Sequence, residues 1–486
     1  MSDARRGWGG AVLAGGLLLF AGCAASPRPP GPETCLGAFA STDEAVERHG
    51  ARATAAARVS GFPYLRVNRF LASYRDQPMS AAEAEAWLNR LAVLDEDARV
   101  IELDSLPDRV RRDLASNIGE GGSIARRLSD CSASLRRDLR QDPAALNRLR
   151  ARAVVPEDYV TAYRVFGLYP LTALAVQRGV RRWHAETYAL FARDPADLPV
   201  AGALRRFVPP EPETAAVSLP LPRDALGIPQ PSPEVLNRLF ARHAPIWEID
   251  VAGDYDLPGT PLWREGRRPS VDPTAPVTFR YVSFTRWRGE ALLQLNYLIW
   301  FSRRPRDSTL GLYGGDLDGV IWRVTLDGSG TPLLYDSIHA CGCYHQFFPG
   351  PALQVKSSGG VYSEAPLVPQ AAPAPGAGER VVVRLDSGRH YIQRVYADKG
   401  GGTAYAWRDY RALYGSPMVG GAPRSLFGAH GIVPGSERRE RWLLWPTGVR
   451  SPGAMRERGH HATAFVGRRH FDDAHLIDAL FERALR

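Results

Sequence analysis

The chain has 486 residues, a formal charge of +9, and 44% apolar and 23% charged residues. That apolar share excludes a disordered chain, and the length allows two domains of ordinary size. The basic residues are almost all arginine, with Lys356 and Lys399 the only lysines. They are scattered among acids and form no basic block, so no nucleic-acid partner is expected.

At the N-terminus Arg5 and Arg6 precede an apolar run over residues 11–21. The run is too short and too glycine-rich for a membrane-spanning helix, and its charged-then-apolar layout is that of a secretory signal. It ends Leu19-Phe20-Ala21-Gly22-Cys23. These residues resemble the lipobox of bacterial lipoprotein signal peptides, where small residues precede a cysteine that is lipidated and becomes the mature N-terminus. The resemblance covers only the first two dozen residues. It implies a signal peptide over residues 1–22, lipidation of Cys23 and a membrane held through that anchor. With Ala24 next, and no aspartate, it also implies an outer-membrane lipoprotein of the cell envelope facing the periplasm. Residues 23–34 are proline-rich without hydrophobic periodicity, as suits an extended tether.

Residues 42–194 carry helical patterning. Ser80 followed by Glu83 is a capping-box signature for a helix over 80–94. Ile124, Leu128, Cys131 and Leu135 fall at spacings of three and four within a helix expected over 123–152, which puts Cys131 on its buried stripe. Another helix is expected over 170–192, with proline in its first turn. Residues 35–200 therefore read as a helical bundle. Besides Cys23 there are four cysteines, Cys35, Cys131, Cys341 and Cys343, an even number in an oxidising compartment. Three pairings are open, and the simplest joins Cys35 to Cys131 within this domain.

A proline-rich linker is placed at 201–232, and residues 233–486 change texture. Strand pairs at 277–287/291–301, 318–326/331–339 and 380–385/390–396 are each separated by short glycine-containing turns, the signal of a hairpin. Residues 363–378, rich in proline and alanine, read as a mobile surface loop. An amphipathic helix is expected over 472–486. The fold class is α+β: an N-terminal helical bundle followed by a mainly antiparallel β-sheet domain with a C-terminal helix.

One string could carry chemistry: His339-Ala-Cys341-Gly-Cys343-Tyr-His345. If the strand over 331–339 continues through it, four metal-ligating side chains share a face. Alternate residues on a strand are ~6.6–7 Å apart, whereas zinc reaches its ligands at only ~2.0–2.3 Å. One ion therefore needs either a bend at Gly342 or ligands from elsewhere. Elsewhere offers His460, His461 and His470 near the C-terminus, and His430 between glycines that permit close backbone approach. Asp336 and Asp472 are placed as catalytic groups that orient a ligand histidine.

Four readings of the string stand open: a structural disulfide, a transition-metal site such as zinc, a redox-active Cys-Gly-Cys dithiol, and satisfied core polar residues. The sharper expectation is a metal-dependent hydrolase centred on the string, in which bound water attacks an ester, amide or phosphate. The competing one is a non-catalytic binding or assembly lipoprotein stapled by disulfides.

Overall fold

A computed structural model describes residues 32–118, 122–210, 219–306, 311–356, 360 and 362–484. The residues read as a signal peptide, Cys23 and most of those read as a tether lie outside the described residues. The chain is a mixed helix-and-sheet protein, and no helix among the described residues is long and apolar enough to cross a membrane.

The first part opens with α1 (Pro32–Arg48), then a hairpin of β1 (Ala57–Val59) and β2 (Phe62–Val67) that the helical patterning did not reveal. Then come α2 (Arg69–Ala72), α3 (Ala81–Asp104), α4 (Asp108–Ile118), α5 (Ile124–Arg140) and α6 (Pro143–Arg152). The Ser80–Glu83 capping box forms as read, with both reciprocal hydrogen bonds present. The helix expected over 123–152 is two helices. Pro143 lacks the amide the turn requires and disfavours helix at Asp142, which instead caps α6 through Ala145 N–H. Cys131 lies on the buried face of α5 and is disulfide-bonded to Cys35 of α1, with their Cα atoms 5.3 Å apart. Both sulfurs sit in one core with Phe39, Trp87 and Leu91.

Two further helices, α7 (Thr161–Phe166) and α8 (Tyr169–Phe191), face the second part. Phe191 joins its core and Tyr159, just before α7, packs with Val449 and Ala462. The segment read as a linker is built in too. Residues Ala203–Val208 form β3, and Ile228 is fully buried in the first core. A short α9 (Pro233–His243) follows, capped by Ser232.

The second part comprises β4 (Ile246–Val251), β5 (Thr260–Arg264), β6 (Arg268–Asp272), β7 (Val277–Trp287), β8 (Glu290–Arg304), β9 (Gly315–Leu326), β10 (Pro332–His339), β11 (Gln346–Pro349) and β12 (Leu353–Val355). It continues through β13 (Glu379–Leu385), β14 (Ile392–Lys399), β15 (Thr403–Ala404), β16 (Ala406–Asp409), β17 (Ser416–Met418), β18 (Gly421–Arg424), α10 (Arg441–Leu444), α11 (Leu476–Leu480) and β19 (Phe481–Arg483).

A six-stranded sheet runs β11-β10-β9-β8-β7-β16, and a five-stranded sheet runs β14-β13-β4-β3-β15. Each expected hairpin forms within them. The β7–β8 turn has positive φ at Arg288 and Gly289, the backbone that matches strand twist. Within these two sheets pairing is antiparallel except for β16–β7, β13–β4 and β15–β3, and elsewhere β17–β5 is also parallel.

Period-two alternation gives the six-stranded sheet two buried faces. Leu295, Tyr297 and Ile299 of β8 pack against Trp247 of β4 and Val383 of β13. Leu298 and Trp300 face the other way, toward Tyr410, Met455 and Phe471.

Two other expectations are corrected. The C-terminal helix is present as α11 but stops at Leu480, where the chain turns extended and Phe481–Arg483 pair with β12 as β19. Residues 363–378 are not a free loop: Leu367 is buried and its carbonyl accepts Phe347 N–H at 2.9 Å.

Candidate functional site

The strand does not continue through the Cys-Gly-Cys string. It ends at His339, and residues 340–345 turn back to enter β11. His339 N–H donates to the Cys343 carbonyl at 3.0 Å and Gly342 N–H to the His339 carbonyl at 2.7 Å. Gly342 takes φ +90°, and a Cβ there would lie 2.7 Å from the Ala462 carbonyl oxygen. The position therefore needs glycine both for its backbone angle and for the approach of the C-terminal segment. That segment is fastened by Arg456, whose backbone N–H donates to the Ala340 carbonyl and whose Nε donates to the Cys341 carbonyl at 3.1 Å.

The C-terminal segment thus reaches the string, but of its histidines only His461 bonds to it, and the rings take separate partners. His339 Nδ1 lies 3.4 Å from Asp318, and His345 Nε2 is 2.9 Å from Asp336. His460 bonds Asp158 and the Thr54 carbonyl, while His461 Nε2 bonds the Ala340 carbonyl. His470 Nε2 sits 2.8 Å from Glu157. His430 is exposed, and its neighbour Gly431 presses on the His460 ring. Cys341 and Cys343 are free, buried thiols. Among the described residues no three side chains of His, Cys, Asp or Glu gather to hold a metal ion.

The two aspartates singled out in sequence sit close to this layer. Asp336 of β10 and Arg323 of β9 are direct cross-strand partners, joined by two hydrogen bonds of 2.9 and 2.5 Å. Arg323 also donates to the Phe471 carbonyl and stacks 3.5 Å from that ring's centre. Burial alone would raise the Asp336 pKa, but Arg323 and His345 outweigh it and hold the carboxyl below its usual value. Burial pushes His345 down to about 4 against the pull of Asp336, so the ring is neutral. Its Nε2 hydrogen is then directed at Asp336, leaving Nδ1 buried without a partner. Asp472 is 3.4 Å from Arg69 and lines a cavity of about 250 Å³ with Arg323 and His461.

On the other side of the string lies a larger cleft of about 550 Å³, roofed by α8. Its wall is apolar, from Val176, Val180 and Trp183 of α8 with Leu443, Leu444 and Phe465 opposite. Cys343, Tyr344 and His345 line it, together with Arg304, Tyr391 and Glu440.

Sequence reasoning missed these last three. Arg304 ends β8 directly after an apolar strand, and a charge in that place was the available signal. It is 3% exposed and donates to Tyr391 Oη at 2.7 Å; among the described residues no carboxylate lies within salt-bridge distance and its Nη1 has no hydrogen-bond partner. Burial disfavours its charge, but Tyr344, Tyr391 and Asp318 outweigh that and keep it a cation. Glu440 is 4% exposed, and burial raises its carboxyl above the usual range against the pull of Arg438 and Arg304.

Behind Tyr344 and Tyr391 runs a buried chain of charges. Asp318 faces Arg438 at 3.1 Å and His390 Nδ1 at 2.9 Å, while His390 Nε2 lies 3.3 Å from Asp256. Burial would raise the Asp318 pKa, but Arg438 and the two histidines drive it well below its ordinary value. The same carboxylates raise the pKa of His390 despite burial. This network holds the His339 end of the string in place, and each member has an opposite charge beside it. The cleft, which Glu186, Glu364 and Glu440 also line, differs in part: Arg389 pairs with Asp386 at 3.2 Å, but Arg304 has no carboxylate within salt-bridge distance among the described residues.

No protein-family model, curated protein or solved structure matches the chain.

Proposed function

We propose that the protein is an envelope lipoprotein, anchored in the outer membrane by a lipid on Cys23, whose α8 cleft binds a small amphipathic anion. Its finer α+β arrangement, a helical part followed by a mainly antiparallel sheet part, serves as the scaffold. The observation that carries the reading is Arg304, a buried guanidinium without an acid partner at the base of an apolar-walled cleft. Burying a charge unpaired is costly, and a ligand carboxylate or phosphate would satisfy it through charge-assisted hydrogen bonds. The α8 wall would take the apolar body of the same molecule. Glu440 stands ready to accept from a hydroxyl or amine on it.

The test is a titration with decanoate, decanol and decylamine, followed by thermal shift and by the emission of Trp183 in the cleft wall. Decanoate should bind most tightly, and Arg304→Met should erase its advantage over decanol. Equal binding of the three probes, or none of decanoate, would overturn the proposal.

A second reading, a zinc-dependent hydrolase, has one observation in its favour. Asp336 occupies His345 Nε2 and leaves Nδ1 open, the orientation a carboxylate imposes on a ligand histidine, and Cys343 lines the same cleft. Stoichiometric zinc in the purified full chain, lost in His345→Gln, would favour it. Metal-free protein that still binds decanoate would exclude it.

A further inference from the structure

Around the cleft mouth, α7, α8 and α10 expose an unusual amount of apolar surface. Phe166 is 80% exposed, Leu171 68%, Trp442 69% and Leu443 61%. Scattered single hydrophobics on a surface need no explanation, but these adjoin. The turn between α7 and α8 sits on the segment after α10: Gly167 packs on Pro446, and Tyr163 meets Trp445 edge-on at 6.2 Å. Leu443 and Ala175 of α8 line the same cleft mouth. Along α8, helical spacing puts Leu171, Leu174, Arg178 and Arg182 on one stripe, all of them exposed, with Arg182 ion-paired to Glu186 at 2.9 Å. Arg441 lies over the Trp442 ring at 4.8 Å.

We infer that this face docks on an anionic lipid bilayer, with the α7–α8 corner and Trp442 entering the acyl boundary and the arginines meeting headgroups. The charge pattern separates this occupant from a second copy of the chain. A self-contact through the patch would desolvate Arg178 and Arg441, neither of which has a carboxylate within salt-bridge distance among the described residues, whereas anionic headgroups complement them. Exposed aromatic and aliphatic side chains beside arginine are the composition of an interfacial anchor. The inference does not depend on a ligand in the cleft, although the cleft mouth opens beside this face.

The experiment places the lipid-anchored full chain in phosphatidylglycerol–phosphatidylethanolamine vesicles carrying brominated acyl chains, which quench tryptophan at the acyl boundary. Quenching is expected in the parent and should be largely lost in Trp442→Phe. Phe166→Asp/Leu171→Asp should also lose it while keeping the parent's circular dichroism, since both side chains are exposed. Phosphatidylcholine vesicles should give weaker quenching. Quenching that W442F leaves unchanged would overturn the inference. So would a lipid-free dimer, seen by sedimentation, that the double aspartate variant dissociates.

Discussion

Replacing Asp336 by Asn keeps the shape of the side chain and removes its charge. Arg323 is 2% exposed and Asp336 fully buried, so the guanidinium would be left in the core without its bidentate partner. Breaking a buried pair from one side costs about 3–5 kcal/mol, because the surviving charge stays desolvated. Removing both charges with bulk retained, as in Asp336→Leu/Arg323→Met, should recover most of that loss, since neither charge then needs solvation. Urea unfolding monitored by far-ultraviolet circular dichroism gives both numbers, and the single variants Asp336→Leu and Arg323→Met complete the cycle that isolates the coupling. Recovery should be incomplete, because Met cannot donate to the Phe471 carbonyl and Leu cannot accept from His345. If Asp336→Asn lies within about 1 kcal/mol of the parent, the pair is not desolvated as its burial indicates, and the structural reading of Asp336 is wrong.

His345, neutral in the fold, should make the protein acid-sensitive. Its pKa falls from 6.5 to about 4 on folding, so the unfolded chain takes up the proton first. The stability held above pH 6.5 is lost as pH drops to 4, by about 3 kcal/mol at 1.36 kcal/mol per unit. His345→Gln should flatten that part of the melting-temperature profile, and an unchanged slope would refute it. Reducing or deleting the Cys35–Cys131 bridge, whose ends are 96 residues apart, should cost about 4–5 kcal/mol in the chain-entropy model, read from urea midpoints with and without reductant. In the unreduced native protein Cys341, buried and outside the cleft lining, should not react quickly with a thiol reagent, and it should react after unfolding. Fast native labelling would contradict the packing of residues 340–345.

The hairpins were legible because their signals are local. Strand-forming runs flank Arg288–Gly289, Asp327–Gly330 and Asp386–Arg389, and each turn closes over a few residues. The parallel pairs were not, since nothing local ties β4 to β13, which begins more than a hundred residues later. Helical periodicity concealed the break at Pro143 because Leu146 and Leu149 continue the stripe beyond it. The segment 201–232 read as a linker because its prolines suppress periodicity, yet one strand and a single isoleucine are enough to fasten it.

The candidate site was legible as a composition and not as a geometry. Rare ligand types drew attention to residues 339–345 and 460–470, and those segments do pack together. What composition cannot show is which acid each imidazole finds. A buried ring needs a hydrogen-bond partner, and any carboxylate within reach supplies it before a shared metal is required. Asp318, Asp336 and Asp158 come from three separate elements and draw His339, His345 and His460 in different directions. Clustering of histidines in sequence therefore carries little weight in an arginine- and aspartate-rich chain, where competing partners abound. The sharper indicator of a ligand site is the reverse condition, a buried charge that the fold has left without an opposite. Arg323, Arg438 and Arg66 each have a carboxylate within salt-bridge distance. Arg286, Arg304, Arg456 and Arg469 are buried with none among the described residues, and of these Arg304 lines the large cleft.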